Sequence, residues 1–191
     1  MDNIQTNLYY TSKTPHKIFL KKDGEANWQP LSDFALFNEG VFTAGVTGGL
    51  WKTTNISSSN PNWQDIGHFY ANINISALGQ STTNPDIIYF GTGEPHGGAG
   101  QGLGIWKSTD GGDNFTQLPA TLGGNFTIVV RIFVHPTTDH VYAATQTGLR
   151  KSKDGGATWT KVLGSGVFPG VSNGITDIEF AKDGAIYISD G

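Results

Sequence analysis

The sequence has no cysteine, a single methionine and two arginines, Arg131 and Arg150. Without cysteine there is no disulfide framework and no thiolate chemistry, although the compartment stays undecided. Charged residues make up 15% of the chain, against the ~25% usual for soluble domains, and the net charge is −4. A nucleic-acid surface needs clustered Lys and Arg, so that class of partner is not expected. The one short basic cluster, Arg150–Lys151 with Lys153, reads as a solvated strand edge. No apolar run approaches the ~18 residues of a membrane helix, so no membrane insertion is expected. Residues 1–20 lack the apolar core of a signal peptide. Apolar residues nowhere keep helical spacing for three turns, so almost no helix is expected.

What the chain does have is 27 glycines among 191 residues, about twice the usual share, and 12% aromatics. That mixture predicts an all-β fold of short strands joined by many turns. One signature recurs. Ser152, Asp154, Gly156, Thr158 and Trp159 alternate with other residues in SKDGGATW. Ser108, Asp110, Gly112 and Phe115 keep the same spacing 44 residues earlier. Two degenerate copies precede them. Asp23 and Trp28 follow Lys21 and precede strand-like residues. Thr53 and Asn55 are followed by Asn62–Trp63, with ISSSNP read as an insertion. Recurrence at this distance, within a strand–turn pattern, predicts a repeat of four-stranded antiparallel units, a β-propeller arc. The expected units are a partial blade at about 8–31, blades at about 33–66, 73–118 and 126–163, and a partial blade at 171–191. The last unit stops after its second strand. This predicts a partial chain, with the remaining propeller blades in a longer one and an exposed edge strand at each end.

The signature falls on the turn between the third and fourth strands of a unit. Gly155–Gly156 permits positive φ, and the oxygens of Ser152 and Asp154 can accept the turn's own N–H groups. Trp159 then fills space in the sheet packing. A calcium loop needs further oxygen ligands and a Glu at its twelfth position, and these are missing after both copies. No metal and no cofactor are therefore expected, and the repeated Asp reads as a staple of the fold.

SKDGGATW resembles the Asp-box, or BNR repeat, S/T-x-D-x-G-x-T-W/F. GGLWKTTN, IIYFGTGE and GIWKSTDGG resemble segments of sortilin-like and xyloglucanase-like Asp-box propellers, many of them exported bacterial proteins. The resemblance covers about residues 40–165. It implies that the Asp-boxes lie at the face away from the ligand site. It also implies a secreted or cell-surface protein. Sialidases of this kind clamp their substrate with three arginines, more than this chain has. Xyloglucanases carry an Asp before a Gly-Gly-aromatic-basic segment. The matching stretch here is V-T-G-G-L-W-K, with Val46 in the Asp position. Residues 102–107, GLGIWK, also lack it. Intracellular or thylakoid assembly-factor propellers form a third class with Asp-boxes.

Chemistry is sought instead on the Gly-rich connection 91–104, GTGEPHGGAGQGLG, which is expected at the ligand face. It holds Glu94, a candidate acid/base or ligand-binding carboxylate, and His96, a candidate metal or sugar contact. One Glu-x-His supplies too few zinc ligands, and the loop lacks the phosphate-loop pattern. Trp51 and Trp106 stand at equivalent third-strand positions. Either can stack on a sugar, though their repetition favours blade packing. The expected role is a noncatalytic module that binds a glycan or peptide ligand, or a scaffold. The alternative is a fragment of a glycoside hydrolase whose two carboxylates lie partly outside this chain.

Overall fold

The computed structural model describes residues 8–11, 18–21, 29–30, 41–45, 49–56, 58–66, 74–94, 101–164, 174–181 and 185–190. These fold into five antiparallel sheets, each built from strands consecutive in sequence. The first contains β1 (Leu8–Thr11), β2 (Ile18–Lys21) and β3 (Gln29–Pro30). The second contains β4 (Val41–Gly45), β5 (Gly49–Thr53) and β6 (Gln64–Asp65). The strand expected at 33–38 lies outside the described residues. Four strands make the third sheet: β7 (Ile75–Gln80), β8 (Ile88–Thr92), β9 (Ile105–Ser108) and β10 (Thr116–Gln117). Four more make the next: β11 (Val129–Val134), β12 (Val141–Thr145), β13 (Gly148–Ser152) and β14 (Thr160–Leu163). β15 (Ile175–Phe180) pairs with β16 (Ile186–Asp190) in the last. Among the described residues the one helical element is a 3-10 turn, Pro119–Thr121.

The repeat shows in the registers. β7, β11 and β15 each carry a bulge one residue after their first, at Ile75/Ala77, Val129/Arg131 and Ile175/Asp177. The leading residues Ile75, Val129 and Ile175 are all buried. A bulge turns a strand and sharpens its twist, so the same bend recurs sheet after sheet. Sheets stack face to face through three apolar clusters. Leu50, Ile88, Phe90 and Phe115 join the second sheet to the third. Tyr89, Ile105, Phe126, Val129 and Ala143 join the third to the fourth. Tyr142, Leu149, Ile175 and Ile178 join the fourth to the last. Small residues let the sheets approach: a Cβ on Gly91 would stand 2.5 Å from Val129 Cγ1.

Polar ties reinforce the stack at one end. The turn between β7 and β8 meets the turn between β11 and β12. Asp139 accepts hydrogen bonds from Ser81 Oγ, at 2.7 Å, and from Thr83 Oγ1, while holding φ at 53°. In two of the sheets a lysine just before the Ser or Thr of its own turn reaches the turn of the following sheet. Lys52 Nζ donates to the Gly111 carbonyl at 2.8 Å and pairs with Asp113 at 2.8 Å. Lys107 Nζ donates to the Gly155 carbonyl at 3.2 Å, and Tyr89 Oη donates to it at 3.3 Å. Burial, and then the charge of Asp139, push the Tyr89 phenol up to about 12, so it remains a donor at all ordinary pH.

This packing explains the paired glycines. Gly112 has φ +87°, and a Cβ there would lie 2.6 Å from the Phe42 ring. Gly111 has φ +69°, but a Cβ would meet only Asp86 Oδ1, at 3.5 Å. Gly111→Ala is therefore expected to destabilise by about 1–2 kcal/mol, the left-handed backbone term alone. Gly112→Ala adds overpacking against the preceding sheet and should reach roughly 2–5 kcal/mol. Urea unfolding of the two variants measures the difference, and equal midpoints would refute the inter-sheet explanation.

Candidate functional site

The repeated Ser–Asp turns are closed hydrogen-bond circuits. Ser152 Oγ donates to Asp154 Oδ1 at 2.8 Å and accepts from the Gly156 N–H at 2.8 Å. Asp154 Oδ1 also accepts from the Thr158 N–H at 2.9 Å, and its Oδ2 accepts from Thr158 Oγ1 at 2.6 Å. Trp159 Nε1 donates to the Gly156 carbonyl at 3.1 Å, and its ring lies edge-on to Phe126. The earlier copy repeats this wiring. Ser108 Oγ bonds Asp110 Oδ1 at 2.7 Å and the Gly112 N–H at 2.9 Å. Asp110 accepts from the Asn114 N–H and Nδ2, and Phe115 packs on Phe90 at 4.9 Å.

The degenerate copy at 53–62 keeps the main arm. Thr53 Oγ1 donates to Asn55 Oδ1 at 2.8 Å, which also accepts from the Asn62 N–H at 2.8 Å. Three residues separate Asp110 from Asn114 and six separate Asn55 from Asn62. The net lengthening is therefore three residues, shorter than the whole ISSSNP segment. The copy around Asp23 and Trp28 lies outside the described residues.

These circuits decide what the carboxylates can do. Hydrogen bonds from the Thr158 side chain, the Thr158 N–H and Ser152 hold Asp154 down at about 2. The Asn114 side chain and N–H, then Ser108, do the same for Asp110, also at about 2. A glycosidic general acid needs the opposite shift. Both groups are ionised at neutral pH with their oxygens committed to the turn.

The other end of the sheets carries the 91–104 connection. The register Ile88↔Ser108 and Gly91↔Ile105 puts residues 92–94 and 101–104 at the end opposite the Ser–Asp turn. Its stem is a built structure. Thr92 Oγ1 donates to the Gly104 carbonyl at 2.8 Å and accepts from the Leu103 N–H at 2.7 Å. The Gly102 N–H donates to the Thr127 carbonyl at 2.6 Å, and the Gly93 N–H to the Asn74 carbonyl at 2.8 Å. A Cβ on Gly93 would stand 2.4 Å from the Thr127 carbonyl oxygen. Three of the loop's glycines thus serve backbone contacts. Glu94 is half-buried where the stem ends. His96 lies outside the described residues, so the structure does not bear on its pairing with Glu94. Leu103 and Leu122, 38% and 57% exposed, flank the contact between Gly104 and Thr121 at this end.

The two candidate tryptophans differ in their surroundings. Trp106 is half-buried and stacks on Phe90, with centroids 5.8 Å apart and planes at 11°. Trp51 is 37% exposed at the corresponding position of β5. In β13 that position belongs to Arg150. The expectation of a solvated edge is wrong for this residue. Arg150 is 9% exposed, its guanidinium lies 5.3 Å from the Phe126 ring centroid, and one nitrogen donates to Thr147 Oγ1. A planar cation replaces a planar indole between two sheets, and burial lowers its pKa. Lys153 alone of the cluster is exposed. Among the described residues no group of three or more His, Asp or Glu side chains could hold a metal ion. Sequence reasoning missed the Lys52 and Lys107 ties, although each lysine directly precedes the Thr or Ser of its turn.

The linkage sign follows from the lowered pKa of Asp154. Its stabilising effect is complete above the ordinary value of 3.8 and is lost as pH falls through about 2. Asp154→Ala should lower the thermal midpoint at pH 7. Asp154→Asn should lower it less, because Asn55 shows that an amide oxygen carries the main arm. Melting curves between pH 5 and pH 2 should be flatter for both variants than for the unmodified protein. An unchanged acid limb would show that the circuit contributes nothing.

No family model matches the chain. A xyloglucanase from Paenibacillus sp is 30% identical over 145 residues, which cover 66% of this chain and 14% of that protein. Among solved structures, an ancestral GH74 enzyme superposes with a TM-score of 0.64 at 17% identity, over 95% of this chain and 25% of its own. The Niastella koreensis GH74 enzyme gives 0.56 at 24% identity, over 80% and 25%. YCF48 with bound D1 peptide gives 0.52 at 15%, over 93% and 56%. The chain therefore spans a quarter or less of the Paenibacillus xyloglucanase and of these two GH74 enzymes. With the sheet order and the shared bulges, these likenesses establish the fold as a partial β-propeller arc.

Proposed function

We propose that this chain is a noncatalytic carbohydrate-binding segment of an Asp-box propeller in a secreted or cell-surface protein. Its blades are those at about 33–66, 73–118 and 126–163, with partial blades at 8–31 and 171–191, and the remaining blades belong to a longer protein. The observation that carries the reading is the division of labour between the two ends of the sheets. One end is tied up by hydrogen bonds that hold Asp110 and Asp154 as permanent anions inside their turns. The other presents the 91–104 connection, with half-buried Glu94 and exposed Leu103 and Leu122. That mix of apolar surface and a polar anchor suits the faces and hydroxyls of a sugar chain. His96 and the exposed Trp51 are further contact candidates, and Trp106 is the weakest because its ring is committed to Phe90.

The 30% identity to a xyloglucanase favours a second reading, a fragment of a glycoside hydrolase of that kind. Two carboxylates flanking the scissile bond would then be completed from outside these residues. Val46, where such an enzyme would have Asp, speaks for the binding role.

Calorimetric titration with xyloglucan oligosaccharides separates the two. Saturable binding is expected, weakened about fivefold or more by Glu94→Gln or Trp51→Ala, with no release of reducing ends. Release of reducing ends that disappears in Glu94→Gln would overturn the noncatalytic reading. Binding unaffected by either substitution would move the ligand site elsewhere.

A further inference from the structure

Two cationic side chains are buried among the described residues, Lys52 and Arg150, each 9% exposed. Lys52 is paired with Asp113. Arg150 is answered by no carboxylate. Its guanidinium gives one N–H to Thr147 Oγ1, at 3.3 Å, and lies over the Phe126 ring. Its Nε is buried without a hydrogen-bond partner. A charge buried without a counter-charge costs stability, and packing alone does not ask for arginine here. β5 and β9 carry Trp51 and Trp106 at the equivalent position.

The guanidinium belongs to the end of the sheets opposite the Ser–Asp turns. Thr147 lies in the turn between β12 and β13, and its hydroxyl donates in turn to the Asn125 carbonyl, at 3.2 Å. Gly123, Gly124 and Asn125 are exposed there, and a Cβ on either glycine would meet nothing within 4 Å. Arg150 stands directly opposite Lys161 of β14. Opposed residues of antiparallel strands share a face, so a second, half-buried cation stands beside it. The connections that begin or end at this side of the fourth sheet, 118–128, 145–148 and 163–174, contain no Asp or Glu. Asp139 and Asp154 are tied up at the turn end, and Asp177 is bonded to Arg131. The chain thus surrounds a buried cation with hydroxyls, carbonyls and glycines.

We propose that Arg150, with Lys161 beside it, is a subsite for a carboxylate carried by the ligand, so that the glycan this arc selects contains a uronic acid. The proposal rests on the carbohydrate-binding reading above and names its sugar class. Phe126 fixes the plane of the guanidinium and Thr147 fixes one N–H, so the fork is oriented in advance. A carboxylate answers such a fork with two parallel charge-assisted bonds. A sugar hydroxyl in the same place answers one N–H and leaves the charge unmet, which makes the subsite discriminate against a neutral chain. Glu94 lies on the connection of the preceding sheet and serves the hydroxyls of other units.

The test titrates the 191-residue chain calorimetrically with an oligogalacturonide and with the same oligosaccharide after its carboxyl groups have been reduced to alcohols. The unmodified protein should bind the acidic form about tenfold or more tightly at low ionic strength, and this comparison needs no variant. Arg150→Trp installs the residue that the equivalent strands carry, so the packing is kept while the charge is removed, and it should abolish the difference between the two ligands. Equal binding of both forms by the unmodified protein would overturn the uronate subsite and leave the carbohydrate reading standing. Absence of saturable binding of either form, and of xyloglucan oligosaccharides, up to millimolar concentration would overturn both. A preference that survives in Arg150→Trp would overturn the assignment to Arg150. Tighter binding of an acidic peptide of equal charge than of the oligogalacturonide would overturn the choice of a sugar as the carrier of the carboxylate.

Discussion

A single carbonyl oxygen, on the first glycine of each Ser–Asp turn, governs the architecture. It must point out of its own sheet to meet the lysine of the sheet before it. Everything local to the turn serves that orientation. The aspartate collects the turn's N–H groups so that the backbone has one shape. The glycines accept positive φ, and the second of them also makes room for a neighbouring side chain, Phe42 in one turn and Leu118 in the other. Local circuit and inter-sheet joint are thus one device, in keeping with repeat proteins whose stability is the sum of units and nearest-neighbour interfaces.

That device assigns the two ends of the arc to different tasks. At the turn end, Asp139 with Ser81 and Thr83 doubles the joint between the third and fourth sheets. Hydrogen bonds lower the pKa of Asp110, Asp139 and Asp154 there, which leaves these three unsuited to proton transfer at neutral pH. At the other end the chain spends glycines on bringing backbones together, as at Gly93 against Thr127 and Gly102 against Thr92. A rigid stem then carries a connection long enough to hold a ligand. The proposed ligand contact is placed at that second end.

Much of this was legible before any coordinates. Ser-x-Asp-x-Gly repeated at a fixed interval is a local pattern whose oxygens and glycines interact within a few residues, so sequence spacing reveals it. Thr53–Asn55 was readable for the same reason, because Thr and Asn keep the oxygens of Ser and Asp. Arg150 was misread because its environment is set by Phe126, far away in sequence, and its charge hides its likeness in shape to Trp106. The lysine joints were missed although Lys precedes Ser or Thr in three of the four copies. Their partners lie 59 and 48 residues away, and nothing within the motif names a carbonyl as the target. The 91–104 connection is the least legible part, since glycine-rich sequence looks alike whether it packs a stem or frees a loop.

Amide hydrogen exchange in a Lys107→Met variant tests the central claim most directly. If the lysine clasp holds the following turn in shape, the Gly156 and Thr158 amides should exchange about tenfold faster than in the unmodified protein. The Gly112 and Asn114 amides, held by the intact Lys52 joint, should keep their rates. Unchanged exchange at Gly156 and Thr158 would contradict the account, showing that each turn keeps its shape without the lysine clasp.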